Sequence, residues 1–205
     1  MGCATHSIRI IRVIQMPRFM TKRTMSLLAV ITGVFMLAAC APSKPTALPL
    51  TRTFDKSPTG FEFKYPDDWD YTIPIQGVLL AGPRETLAGA SPGPLFTVQR
   101  GLPISIPGSL TAALDSYLEN GPLSDPEHWR ITEPARDTTF DGRPARVVDL
   151  QGQQDTDDSA IYSQIIATTS ENTFVYMFIL TVPVDLHDRF EPTMNAMLDS
   201  VRLLE

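Results

Sequence analysis

The stretch Thr173-Phe174-Val175-Tyr176-Met177-Phe178-Ile179-Leu180-Thr181-Val182 decides the architecture. It is rich in β-branched and aromatic residues and has neither Gly nor Pro, so it reads as a strand. Successive side chains of a strand point to opposite faces. Phe174, Tyr176, Phe178 and Leu180 therefore share one face, and Val175, Met177 and Ile179 share the other. Both faces are apolar, whereas a sheet with one wet face alternates apolar and polar residues. A central strand covered on both sides predicts three layers. The expected class is α+β, an α/β/α sandwich in which an antiparallel β-sheet carries helices on both faces.

The neighbouring segments supply the rest of the sheet. Ala160 to Thr169 is a second strand, joined to the first by a turn at Ser170-Glu171-Asn172. Trp129 to Thr139 and Arg143 to Gly152 flank Asp141-Gly142, a pair that accepts φ > 0 at both centres of a two-residue hairpin. The acidic loop Asp155-Thr156-Asp157-Asp158 lies between the two hairpins. Upstream, Phe61, Phe63 and Tyr65 alternate with Glu62 and Lys64, and Pro66-Asp67-Asp68 turns the chain. Tyr71 to Ile73, Val78 to Ala81 and Leu95 to Arg100 are further short strands, with Gly82 to Pro94 read as a Gly/Pro-rich loop.

Two segments have helical spacing. Leu110, Ala113, Leu114, Tyr117 and Leu118 form one stripe, with Ser109 as N-cap, Gly121 as a left-handed C-cap and Pro122 as a stop. Phe190, Met194, Met197, Leu198 and Val201 form the other. An interior proline costs about 3 kcal/mol, so Pro192 is expected in the first turn, with the regular helix starting near Phe190.

The charge is unevenly distributed. The first 39 residues hold five of the 17 Lys and Arg and none of the 23 Asp and Glu, which leaves a net −11 on the remainder. So acidic a body argues against binding nucleic acid, which needs clustered cations. Arg18, Lys22 and Arg23 precede an apolar run of 13 residues, Met25 to Leu37. That run falls short of the roughly 20 residues needed to span a bilayer, and the layout is that of an export signal. Leu37-Ala38-Ala39-Cys40 resembles the lipobox of bacterial lipoproteins. The resemblance implies a diacylglyceryl group on the Cys40 thiol and cleavage just before it. The expected organisation is a signal peptide over 1–39, a Pro-rich tether over 40–50 and a globular domain over 51–205. The expected location is extracytoplasmic, anchored to the cell membrane through acylated Cys40. The only other cysteine, Cys3, leaves with the signal, so no disulfide is expected.

A second resemblance covers the exported part, about Leu50 to Glu205. Gly60-Phe61-x-Phe63-x-Tyr65-Pro66-x-x-Trp69 is similar to the opening strand and turn of PsbP-like domains, named for an extrinsic protein of the oxygen-evolving photosystem. The hairpin Phe140-Asp141-Gly142-Arg143-Pro144-Ala145 and the ending Leu198-Asp199-Ser200-Val201-Arg202 resemble later elements of that family. The resemblance implies an α/β/α sandwich and binding or assembly work rather than catalysis. Many bacterial members are exported lipoproteins. The family's metal-binding histidines have no counterparts at positions of this chain.

Candidate chemistry is sparse. Gly89-Ala90-Ser91-Pro92-Gly93 matches the G-x-S-x-G nucleophile elbow, and Asp149 and His187 follow in hydrolase order. Yet the residue after Ser91 is Pro92, which has no N–H to give an oxyanion hole. A serine hydrolase using Ser91 is thus the alternative to a non-catalytic module. Asp155, Asp157 and Asp158 offer oxygens to Ca²⁺, but in a loop without the Gly and Glu of an EF-hand. They define a second alternative, a metal- or small-ligand-binding lipoprotein. His128 and His187 share no ligand spacing. No cofactor is expected. Phe61, Phe63 and Tyr65 are expected in the core, and Trp69 and Tyr71 are candidates for a ligand or partner surface. The partners expected are the bilayer and an envelope protein or ligand.

Overall fold

The informative strand lies at the centre of a seven-stranded sheet, as its two apolar faces predict. A computed structural model describes residues 45–55, 59–103, 110–153, 159–170 and 174–204. The stretch read as a signal, Cys40, Ser109 and Asp155 to Asp158 lie outside the described residues. In chain order the elements begin with β1 (Leu50–Asp55), β2 (Phe61–Pro66), β3 (Trp69–Ile75), β4 (Val78–Pro83), α1 (Arg84–Leu87), β5 (Leu95–Pro103) and α2 (Leu110–Asn120). They continue with β6 (Trp129–Phe140), β7 (Arg143–Gln153), β8 (Ala160–Thr169), β9 (Phe174–Pro183), α3 (His187–Asp199) and β10 (Arg202–Leu203). The large sheet has the order β3-β4-β5-β9-β8-β7-β6, and a smaller one the order β1-β2-β10. Every pairing is antiparallel.

Tyr176, Phe178 and Leu180 of β9 enter one buried cluster, and Val175, Met177 and Ile179 enter another. The first cluster holds Phe54, Phe61, Phe63 and Tyr65 of the small sheet together with Met194, Met197 and Leu198 of α3. The second holds Leu114 of α2 with Val148, Leu150, Ile165 and Ala167. The fold is α+β and antiparallel, but it is built from two sheets with few helices. The expectation of a single sheet between helical layers is corrected to that extent, because a small sheet supplies most of the aromatic cover on one face. Each of those buried aromatic rings is worth roughly 1.5–3 kcal/mol over an exposed one.

Three local expectations change. Gly82 and Pro83 belong to β4, and the helical turn α1 follows them inside the stretch read as a loop. Pro192 is the sixth residue of α3, not part of its first turn, because a 3-10 turn at Val184–Leu186 starts the helix at His187. Burial of Thr193, Met194, Met197 and Leu198 offsets the missing hydrogen bond. Gly121 has no positive φ, so it is not a left-handed cap. It is demanded by space, since a Cβ there would lie 2.4 Å from the Tyr117 carbonyl oxygen. Asp141 and Gly142, by contrast, have φ of 48° and 74°, the pair of values their turn requires. The stretch read as tether is fastened at its end, where the Leu48 N–H donates to Thr193 Oγ1 at 2.9 Å.

Candidate functional site: an apolar slot between the two sheets

The first end of the small sheet stands over β3, β4, β5 and β9, and a cavity of about 620 Å³ opens there. That volume is in the range of small-ligand sites, roughly 300–1,000 Å³. Phe61 of β2, Leu79 of β4 and Val98 of β5 form its floor, each 3% exposed or less. They face the slot by strand alternation, because Leu79 and Val98 share the first cluster with Phe61. Ile73, Arg100 and Phe174 stand at the rim. Ile73 is 43% exposed and its neighbour Ile75 is 65% exposed, so the apolar lining continues onto the surface.

Arg100 is the only charged residue among the described lining residues. Its guanidinium carbon lies 3.8 Å from the centroid of the Phe174 ring, close enough for a cation–π contact that fixes the side chain. The backbone beneath is pinned as well. Gly77, at φ 85°, closes the β3–β4 turn, and its carbonyl accepts the Arg100 N–H at 2.8 Å. A Cβ on Gly77 would come within 3.2 Å of the Arg100 carbonyl oxygen.

A polar cluster occupies β6 to β8. Asp149, 5% exposed, accepts hydrogen bonds from Tyr162 at 2.5 Å, Arg136 at 2.6 Å and Gln164 at 2.8 Å. Burial alone would raise the Asp149 carboxyl, but these three donors outweigh it and hold the group below the usual carboxylate range. Burial first, and then the bond to Asp149, pushes the Tyr162 phenol upward. The His187 ring packs edge-on against Tyr162 at 4.5 Å. Asp149 and His187 are thus brought to one neighbourhood.

Ser91 is elsewhere. It is exposed, preceded by α1 and followed by β5, the reverse of the strand-to-helix order an elbow needs. The hollow beside it is lined by Trp129, Ile161 and Pro183, and neither Asp149 nor His187 reaches it.

The remaining candidates separate cleanly. Phe61, Phe63 and Tyr65 are buried. Trp69 is corrected from surface to core, being 0% exposed beneath Phe190. β3 begins at Trp69 rather than Tyr71, which turns the indole inward with the alternation. Tyr71 is half-buried, edge-on to Phe54 at 5.1 Å. His128 pairs with Asp125 at 2.8 Å on the exterior. Among the described residues no group of three His, Cys, Asp or Glu is disposed to hold a metal, and no helix is long and apolar enough to cross a membrane. Arg100 and Phe174 escaped the sequence reading. The only signal for them was a charged residue late in one apolar strand and an aromatic residue at the start of another, and the pairing of β5 with β9 brings the two together.

No family model matches the sequence, and no curated protein matches it. Solved structures do match in fold. A Bacteroides thetaiotaomicron protein aligns with a TM-score of 0.52 at 11% identity over 77% of this chain, which spans half of that protein's length. The Ran-binding protein Mog1p of Saccharomyces cerevisiae aligns at 0.51 and 6% identity, over 77% of this chain and 97% of its own. LpqN, involved in cell envelope biogenesis of Mycobacterium tuberculosis, aligns at 0.50 and 12% identity, over 71% of this chain and 83% of its own. LpqN and Mog1p share a PsbP-like fold, and at such identities the likeness is one of fold alone.

Proposed function

We propose that the chain is an extracytoplasmic lipoprotein, tethered through acylated Cys40, that acts as a non-catalytic binding or assembly module and binds at the slot between its sheets. The observation that carries this reading is the slot itself: a preformed apolar cavity with the exposed Ile73 at its rim and Arg100 as the one charged residue of its described lining. Its described lining contains no nucleophile paired with a base, and the hydrolase set is divided between two places. The likeness to LpqN, whose described role lies in the cell envelope, supports the location. Tethering confines the module and its partners to one envelope, which raises effective concentration without any new contact.

The location is tested by labelling cells with radioactive palmitate. The native chain takes up label and sediments with membranes, and Cys40→Ser abolishes both. Equal labelling of Cys40→Ser overturns the anchor. The non-catalytic part is tested with a fluorophosphonate probe, which leaves the protein unlabelled; modification at Ser91 overturns it.

A further inference from the structure

We propose that the tip of the β3–β4 hairpin is a lipid-contacting element: Ile73 and Ile75 dip into the hydrocarbon boundary of the bilayer to which the chain is tethered. This rests on the tethered reading and deepens it, since it names the end of the domain that meets the membrane. From Tyr71 to Pro83 thirteen residues carry no charge, in a chain that is 20% charged. The charges that bound this stretch, Asp70 and Arg84, stand together at the base of the hairpin, 3.9 Å apart. At the other end Ile75, 65% exposed, pairs with Val78 beside the turn, and Ile73, 43% exposed, stands two residues behind it. Of the other exposed large apolar residues among those described, Ile131 is alone on β6 and Val184 alone in the 3-10 turn before α3. Only the hairpin gathers two at one tip.

The edge of β3 selects the occupant. β3 is the outermost strand of the large sheet, where an extended peptide or a second copy would ordinarily add. That edge is closed to a strand. The Trp69 carbonyl oxygen accepts from Arg52 at 2.8 Å, the Tyr71 N–H donates to Asp70 at 2.9 Å, and Pro74 has no N–H to give. The register also breaks between Thr72 and Ile75. What stays exposed is apolar side chain without a continuous backbone ladder, which suits fluid hydrocarbon at shallow depth. The turn is prepared for that depth, because the Gly77 carbonyl already accepts the Arg100 N–H at 2.8 Å. The tether permits the contact. From Cys40 to Leu48, whose N–H is held by Thr193, the chain advances eight residues, at most about 28 Å. The seven residues of β3 span roughly 23 Å, so the tether does not hold the tip away from lipid. Two partly exposed isoleucines bind a bilayer weakly alone; beside an anchor they set orientation. The slot, with Ile73 at its rim, then opens at the lipid surface.

The test uses the acylated chain in phosphatidylcholine vesicles. Cys3 leaves with the signal and Cys40 carries lipid, so Gln76→Cys places the single free thiol on the exposed turn, next to two intact isoleucines. A nitrobenzoxadiazole label there should emit as in hydrocarbon and be shielded from iodide, whereas the same label at Glu119→Cys, exposed on α2, should stay in water. Adding Ile75→Asp to Gln76→Cys should lower the ratio of inserted to free tip about tenfold, the factor that burying half an isoleucine supplies. Ile75 is 65% exposed, so the change spares the core. Added phosphatidylglycerol should not strengthen insertion, because the residues after position 39 sum to −11. A label at position 76 that stays in water on sedimenting vesicles overturns the lipid contact and leaves the anchor standing. Labels that enter lipid at both positions, insertion indifferent to Ile75→Asp, or insertion that grows with phosphatidylglycerol overturn it as well. A chain that does not sediment with the vesicles overturns the anchor, and the tip contact falls with it.

Discussion

The phenol of Tyr176, at the centre of the large sheet, donates a hydrogen bond to the carbonyl oxygen of Thr59, 3.1 Å away and 117 positions earlier in the chain. Thr59 leads into β2, so this bond ties the small sheet to the face of the large one at the mouth of the slot. Gly60, next to it, has φ 79°, and a Cβ there would sit 2.3 Å from the Tyr176 hydroxyl. The approach of the two sheets at this corner depends on the residue having no side chain.

Two substitutions separate the bond from the space. Tyr176→Phe removes the donor and keeps the ring, and is expected to cost about 1 kcal/mol. Gly60→Ala keeps the donor but adds both a left-handed strain and a steric clash, and is expected to cost more than that. Urea midpoints measure both. A Gly60→Ala protein as stable as the parent would show that the corner is looser than its geometry.

Asp149 gives the fold an acid limit. Its carboxyl is held below the usual carboxylate range, because Tyr162, Arg136 and Gln164 outweigh the effect of burial. A depressed pKa means that the unfolded state binds the proton first. The stabilisation is present above the unfolded value of about 4 and is lost as pH falls through the lower folded value. Asp149→Asn is expected to cost on the order of 1–3 kcal/mol near pH 7, since it leaves donors without their acceptor, and less near pH 3. A loss that is the same at both pH values would contradict the assignment.

The large sheet was legible because its signals are long and local. β9 carries its two-faced pattern over ten residues, and the Asp141-Gly142 turn announces itself in two. The small sheet was not legible in the same way. β1 buries only Phe54 deeply, and β10 is two residues long, so neither has a period to read. The slot was invisible for a related reason. Phe61, Ile73, Val98 and Phe174 are separated by long stretches of chain, and only the stacking of two sheets brings them together. Trp69 shows the converse: expected as a candidate for a ligand or partner surface beside a turn, it lies fully inside.

Asp141 does two jobs at once. Its φ of 48° serves the β6–β7 hairpin, and its Oδ2 accepts the Leu203 N–H at 2.8 Å, which holds β10 and the C-terminal end against that turn. Asp141→Asn keeps a side chain that tolerates the left-handed region and an oxygen that accepts the bond, so it should shift stability by only about 0.5 kcal/mol. Asp141→Ala loses both and should cost about 2 kcal/mol. Hydrogen exchange provides the site-specific check: the Leu203 amide should lose protection in Asp141→Ala and keep it in Asp141→Asn. Unchanged protection in both would remove Asp141 from this role.

Gly152 pairs with Trp129 across β6 and β7, and the indole lies where a Cβ of residue 152 would be. That Cβ would stand 2.5 Å from Trp129 Cδ2 and Cε3 and 2.8 Å from the His128 carbonyl oxygen. Glycine weakens a strand by entropy, but here the ring covers the gap and packs against the cluster beneath α2. Gly152→Ala is therefore expected to destabilise by roughly 1–3 kcal/mol through overpacking. In a Trp129→Ala background the ring clash is gone while the His128 carbonyl remains, so the same substitution should cost less but not nothing. A double-mutant cycle reads this as a coupling of roughly 0.5–3 kcal/mol between the two sites. Additive costs would mean that the indole does not occupy the space above Gly152.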